Sequence, residues 1–436
     1  MHCRKWRQHT LRWLLAGTVL PLLVTGAGPL QAQVTLEDTA DLYARWRDRT
    51  VQVQVLDRQS RSRSALGSGY FAGQPGWIVT NYHVVADLAN QPERHEARYL
   101  SESGREGRLE LLSVDVVHDL AVLRAEGMKP TPLELAREAP RKGARAYSMG
   151  YPYDIGLTIV EGTYSGMMER SLYDRLHFTG SINPGMSGGP ALNRAGEVVG
   201  TNVATAGNQV GFLVPSVFVR NLLEKTSEPR AATRSLDETI AGQLTANQSA
   251  LAERLLNGPM PVTSLDGFDV PGALADWLNC WGSRQEDVPD DLDQIYYRCE
   301  SQDDIFLSTT LSTGIIRYQH ELLSSDDLHP LRFYKQLEDR GYYPRLTLDG
   351  DESTVTNYRC RSDFVDAPET ALQVTFCVRT YLSYPGLYDA YLSSTSLVEN
   401  RRALQSTLLL AGFDWDHLNA LSRRFVSALS WVGDRP

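Results

Sequence analysis

From Val51 to about Leu213 the chain is a series of short apolar and β-branched runs, each closed by Gly, Pro or Asn. None is long enough for a core helix. Val51-Gln52-Val53-Gln54-Val55 alternates apolar and polar side chains, the period of a strand with one buried face. Trp77-Ile78-Val79, Ala121-Val122-Leu123 and Glu197-Val198-Val199 are further runs of the same kind. Many short strands separated by turn signals predict a sandwich or a barrel. Residues 33–48 read as a short helical lead-in. Pro215 to about Leu223, with Val217, Phe218, Leu222 and Leu223 apolar, reads as a helix that closes the unit.

The pattern then changes. Thr226 to Leu236 is polar, charged and holds Pro229, which marks a linker. A helix is expected from Asp237 to about Leu256. Beyond it, Ile295-Tyr296-Tyr297, Gly314 to Tyr318 and Leu372 to Val378 read as strands. A last helix is expected near His417 to Trp431, with Leu418, Leu421, Phe425 and Leu429 on one face. The expectation is an α+β domain. A degenerate duplication is one reading of it, since Tyr297-Arg298-Cys299-Glu300-Ser301 resembles Tyr358-Arg359-Cys360-Arg361-Ser362. Segments 318–342 and 388–413 also share a layout, from Tyr through a helix-like stretch to Gly and an aromatic.

The N-terminus is of another kind. Arg4, Lys5, Arg7 and Arg12 precede an apolar stretch from Trp13 to Val24, and Leu30-Gln31-Ala32 offers a cleavage site. The stretch is shorter than the ~20 apolar residues of a membrane span, so residues 1–32 read as a secretory signal peptide. No second apolar run is present downstream, and no membrane span is expected after cleavage. The expected division is 1–32 signal peptide, 33–228 first domain and 229–436 α+β domain. The formal net charge is −10, and loss of the basic leader makes it more negative. Such a surface repels nucleic acid and anionic lipid. Cys3 leaves with the leader. Cys280, Cys299, Cys360 and Cys377 remain, an even number in an exported chain, which implies two disulfides. Of the three connectivities, proximity in sequence favours Cys280–Cys299 and Cys360–Cys377. Zinc would call for a C-x-x-C or a close His pairing, and neither occurs.

Three segments carry chemistry. Gly185-Met186-Ser187-Gly188-Gly189-Pro190 is a tight turn in which glycine lets backbone N–H groups face inward. Thr80-Asn81-Tyr82-His83-Val84-Val85 brings a histidine to the end of a β-like run. Asp119-Leu120-Ala121-Val122-Leu123 starts an apolar strand with a carboxylate. Nucleophilic acyl transfer needs an activated hydroxyl, a base to hold its proton, a group fixing the base's tautomer and donors for the oxyanion. Ser187, His83 and Asp119 supply the first three, and the N–H groups of Gly185 and Ser187 the last. No cofactor or metal is called for. Asp115 competes with Asp119 as the partner of His83, whereas His95, His118 and His177 read as surface residues.

With these motifs, residues 50–223 resemble the chymotrypsin-fold (trypsin-like) serine peptidases, in particular the bacterial Deg/HtrA-like branch. The matches run in order: Gly67-Ser68-Gly69-Tyr70-Phe71, Trp77 to Val85, Asp115 with Asp119 to Leu123, Met149-Gly150-Tyr151-Pro152, Ile182 to Pro190, and Gly211 to Ser216. The resemblance implies two six-stranded β-barrels with the cleft between them, and His83, Asp119 and Ser187 as base, orienter and nucleophile. It implies a periplasmic or extracellular endopeptidase acting on protein or peptide substrates. It also places Ser181 at the base of the primary specificity pocket, for an uncharged side chain, and lets the segment Asn202 to Ala206 pair with the substrate backbone.

The departures are specific. The family has Asn or Asp where Met186 stands, and methionine cannot pair with a new N-terminus, so trypsinogen-type activation is not expected. No PDZ pattern is evident after residue 228. Two rival functions differ in class. An α/β-hydrolase elbow also fits G-x-S-x-G, but it requires a helix after the serine and a later histidine, and Gly188, Gly189 and Pro190 oppose a helix. A non-catalytic binding scaffold that keeps a protease fold is the other.

Overall fold

A computed structural model describes residues 39–205, 210–228, 235–288, 292–341, 348–367, 369–398 and 401–433. The expected leader and the middle of the expected linker lie outside the described residues. Helix α1 (Thr39–Trp46) leads into β1 (Thr50–Asp57), β2 (Arg63–Phe71) and β3 (Trp77–Thr80). Helix α2 (Tyr82–Asn90) is next, then β4 (His95–Ser101), β5 (Glu106–Asp115) and β6 (Leu120–Ala125). These strands close into an antiparallel barrel in the order β1-β2-β3-β6-β5-β4. β7 (Arg145–Gly150), β8 (Thr158–Met167), β9 (Leu176–Phe178), β10 (Pro190–Leu192), β11 (Val198–Thr205) and β12 (Gly211–Pro215) close a second, in the order β10-β11-β12-β9-β8-β7. Helix α3 (Ser216–Ser227) ends this part. The double six-stranded barrel expected from the sequence is the one observed.

The strand patterns arise from burial. Val51, Val53 and Val55 of β1 fill the first barrel. β3 is buried on both faces: Ile78 joins that interior, whereas Trp77 and Val79 join a seam with Trp46 of α1, Leu222 of α3 and Tyr147 and Met149 of β7. A strand covered on both sides reads as a continuous apolar run, which is how Trp77-Ile78-Val79 reads. The seam sets the barrels side by side. The ends of β3 and β6 from one and the turn before β10 from the other then meet at the cleft.

The C-terminal half begins with helix α4 (Leu236–Asn257). Its N-terminus is closed by a capping box in which Ser235 and Glu238 exchange side-chain and backbone bonds. Then come β13 (Val262–Leu265), β14 (Phe268–Pro271), β15 (Leu278–Val288), β16 (Leu292–Ser301), the small hairpin β17 (Ile305–Ser308) and β18 (Leu311–Thr313), β19 (Ile316–Ser324) and helix α5 (Pro330–Gly341). Last are β20 (Arg359–Ala367), β21 (Thr370–Thr380), β22 (Tyr388–Val398), β23 (Arg402–Phe413), helix α6 (Trp415–Ser427) and β24 (Ser430–Trp431). Seven strands form one antiparallel sheet, β15-β16-β19-β23-β22-β21-β20. Leu251 and Leu255 of α4 and Leu418 and Phe425 of α6 pack on it with Tyr318, Leu392 and Leu408. The structure pairs Cys280 with Cys299 and Cys360 with Cys377. Each pair stands at directly opposed positions and ties an edge strand, β15 or β20, to its neighbour.

Three expectations are corrected. The last helix stops at Ser427, and Ser430–Trp431 instead pairs with β14. The described residues of segment 388–413 hold no helix: β22 and β23 pair as antiparallel strands, so it does not repeat the strand-then-helix layout. The Tyr-Arg-Cys runs also differ in place, one inside the sheet on β16 and one at its β20 edge, which removes the duplication in that register. His95 is buried, 7% exposed, and not a surface residue.

Candidate active site

His83 lies in the first turn of α2, where helix N–H groups have no intrahelical acceptor. Asn81 precedes the helix but does not cap it; its amide donates to the Asp119 carbonyl at 2.7 Å. The Asp119 carboxylate takes the capping role. Its Oδ1 accepts the His83 backbone N–H at 2.9 Å, and its Oδ2 meets His83 Nδ1 at 2.7 Å. One carboxylate thus fixes the backbone and the ring of the same residue, beside a helix N-terminus that favours negative charge. With Nδ1 protonated toward Asp119, Nε2 is the nitrogen left to accept a proton. Burial works against the protonated imidazole, but the charge of Asp119 and its hydrogen bond outweigh it, so the pKa lies above the ordinary 6.5.

Asp119 itself has φ of 57°, a left-handed conformation that Asp tolerates better than most residues. Its rival has a partner of its own. Asp115 binds His118 Nδ1 at 2.8 Å, and the His118 ring stacks on Phe218 at 3.8 Å between centroids. Burial opposes the ionised Asp115, yet these bonds to His118 hold its carboxyl below the usual range. The two carboxylates serve two histidines.

Ser187 sits in the turn before β10. Gly185 has φ of 96° and Gly188 of 83°. A Cβ on Gly185 would lie 2.3 Å from the Tyr151 carbonyl, and one on Gly188 would lie 2.2 Å from both the Ser68 carbonyl and Thr80 Oγ1. Only glycine fits at either place. Ser68 straps the turn to the first barrel: its N–H donates to the Ser187 carbonyl (2.7 Å) and its hydroxyl to the Gly185 carbonyl (2.7 Å). The buried Asn202 holds it from the other side, donating to the carbonyls of Met149 (3.1 Å) and Met186 (3.2 Å) while accepting from Ser148 (2.8 Å). Nothing in the sequence singled out these roles, although Ser68 stands in a matched motif and Asn202 opens the segment read as pairing with the substrate.

The Met186 side chain is fully buried in the interior of the second barrel with Phe178 and Ile182. It therefore anchors the turn by packing. Among the described residues, the N–H groups of Gly185 and Ser187 donate to no protein acceptor. The Ser187 hydroxyl donates to the Val203 carbonyl at 3.3 Å. Val203 is the bulged residue of β11, skipped between Asn202 and Ala204 in the ladder with β12, so it takes no part in that ladder and its carbonyl is left to hold the serine. Ser181 is exposed between β9 and β10.

Residues 67–200 match the family described as the trypsin-like peptidase domain. The chain contains a trypsin-like peptidase domain. Its relatives are serine proteases of the Deg/HtrA type. The mitochondrial serine protease HTRA2 of Bos taurus is 30% identical over 216 residues, 46% of this chain and 46% of that protein. A probable periplasmic serine endoprotease, DegP-like, from Chlamydia trachomatis is 26% identical over 188 residues, 41% of this chain and 37% of that one. The chain thus spans less than half the length of these curated relatives. Among solved structures, Deg5 aligns over 43% of this chain and 92% of its own, with 27% identity and a TM-score of 0.38.

Proposed function

We propose that the protein is an exported serine endopeptidase in which Ser187 is the nucleophile, His83 the general base and Asp119 its orienter. The observation that carries this reading is the double hold of Asp119 on His83, through Nδ1 at 2.7 Å and the backbone N–H at 2.9 Å. In this reading the Ser187 hydroxyl leaves the Val203 carbonyl for His83 Nε2 when substrate binds. Its oxygen then attacks the substrate carbonyl as its proton passes to Nε2, and Asp119 stabilises the imidazolium. The oxyanion is met by the free N–H groups of Gly185 and Ser187. The imidazolium returns the proton to the leaving amine. Water, activated by the same nitrogen, then cleaves the acyl-enzyme and restores the serine.

The substrate is a protein or peptide that adds as a strand beside β11, its backbone meeting Val203 once the Ser187 hydroxyl has left the Val203 carbonyl. Ser181, exposed and uncharged, is the residue the family resemblance assigns to the base of the primary pocket, and it favours a small or medium apolar side chain. The leader at 1–32, the two cystine pairs and the periplasmic DegP-like relative support export to the periplasm or beyond. Residues 33–228 form the peptidase part and 229–436 the α+β part. A fluorophosphonate probe tests the reading. Wild type becomes labelled and Ser187→Ala does not; an unlabelled wild type across a range of pH and temperature would mean a binding scaffold instead.

A further inference from the structure

The hairpin β17–β18 leaves the C-terminal sheet and reaches the site. Ile305, Leu307 and Leu311 are buried in one cluster with Tyr82, Val85 and Ala89 of α2. The Leu307 carbonyl accepts from the Tyr82 hydroxyl (3.2 Å) and from the Asn90 amide (2.9 Å), so it is clamped by both ends of the helix that carries His83. Just before the hairpin, the Asp303 carboxylate accepts from the Ser171 hydroxyl and the Leu172 N–H, each at 2.9 Å. Those residues belong to the loop between β8 and β9 of the second barrel. The segment 303–307 therefore spans the cleft from one barrel to the other. Its far end is fixed too: Thr313 accepts from the buried Tyr381 hydroxyl at 2.7 Å.

Between these anchors stands Phe306. Strand alternation sends Ile305 and Leu307 into the core and leaves Phe306 half-buried at the edge of the same cluster. Its half-buried ring meets the His83 imidazole edge to face, 6.1 Å between centroids and 77° between planes. An extended substrate beside β11 turns successive side chains to opposite sides. If the residue whose carbonyl lies at Ser187 points to the Ser181 side, the residue before it points to the first barrel, His83 and Phe306.

We propose that Phe306 is a specificity-determining residue, the apolar wall of a subsite that the C-terminal half adds to the peptidase cleft for the substrate side chain preceding the cleaved residue. This rests on the triad reading above. The test uses the full chain as wild type, Phe306→Ala and Phe306→Arg, with fluorogenic tetrapeptide amides carrying Leu or Asp at that position. Fluorophosphonate labelling is measured alongside, because it needs the triad and not the subsite. In Phe306→Ala the preference for Leu over Asp, read as a ratio of kcat/KM values within the one variant, falls about tenfold. In Phe306→Arg the preference shifts toward Asp by about tenfold or more. Labelling retained with an unchanged ratio overturns the proposal. If Phe306→Ala does not fold, the ratio in Phe306→Arg decides it alone. A wild type that is never labelled overturns the triad reading first, and this inference with it.

Discussion

At the scale of the residue, Asp119 bears the most. Its carboxylate caps α2 and orients His83, and its charge raises the imidazole pKa. Catalysis needs the neutral ring, so the acid limb of kcat/KM is expected above pH 6.5. The linked effect on stability has the opposite sense. A proton held more tightly in the folded protein stabilises it below pH 6.5, and that contribution is lost as pH rises through the raised pKa. The active form is therefore the one without this contribution. Asp119→Asn keeps the shape but removes the charge and presents the wrong partner to Nδ1. A loss of about 10⁴-fold in kcat is expected, with the remaining acid limb moved to lower pH. A pH profile of the variant measured with a fluorogenic peptide checks both; an acid limb that stays in place would separate the pKa of His83 from Asp119.

At the scale of the element, two pieces of the C-terminal half act on the strands and helix that carry His83 and Asp119 of the proposed triad. One is the hairpin β17–β18. The other is α4, where the Gln243 amide donates to the Val114 carbonyl (2.7 Å) and accepts from the Val116 N–H (2.9 Å). A single side chain thus completes the end of β5, three residues before Asp119. Gln243→Ala leaves a buried donor and acceptor unpaired and is expected to cost about 1–3 kcal/mol in urea unfolding; an unchanged midpoint and slope would mean that water takes the place of the amide. These contacts also explain what the sequence could and could not disclose. Val51 to Val55 shows its strand because alternation is a local property, and Ser187 shows its turn because glycine is required there by φ. The segment 305–307 looks like any short strand, and Gln243 like any helical glutamine. Their partners lie more than 100 residues away, and no local period records them. Residues 388–413 misled for a related reason: leucine-rich runs fit a helix or a sheet strand, and only pairing with β19 and β21 decided for strands.

At the scale of the whole molecule, the barrels and the C-terminal half share one core. From Thr39 onward the chain is one compact unit. The cluster that fills the first barrel includes Ile240, Leu244, Ile305, Leu307, Leu311 and Tyr384 from beyond residue 228. Some of them cover α2 on the side away from the barrel. Burying one such side chain contributes about 1.5–3 kcal/mol, and a native domain is stable by only about 5–15 kcal/mol in total. Removing all of these at once, together with the bonds to Leu307, Val114 and Val116, takes away as much as the whole margin. Residues 39–228 expressed alone are therefore expected to lack a cooperative thermal transition, to expose apolar surface to a hydrophobic dye and to resist fluorophosphonate labelling. Adding residues 235–436 as a separate chain should restore labelling, since the contacts to α2 and β5 need no covalent link. A truncated protein that melts cooperatively near the temperature of the full chain and labels at its rate would show the opposite. The C-terminal half would then be an accessory to the barrels and not a structural part of the first one.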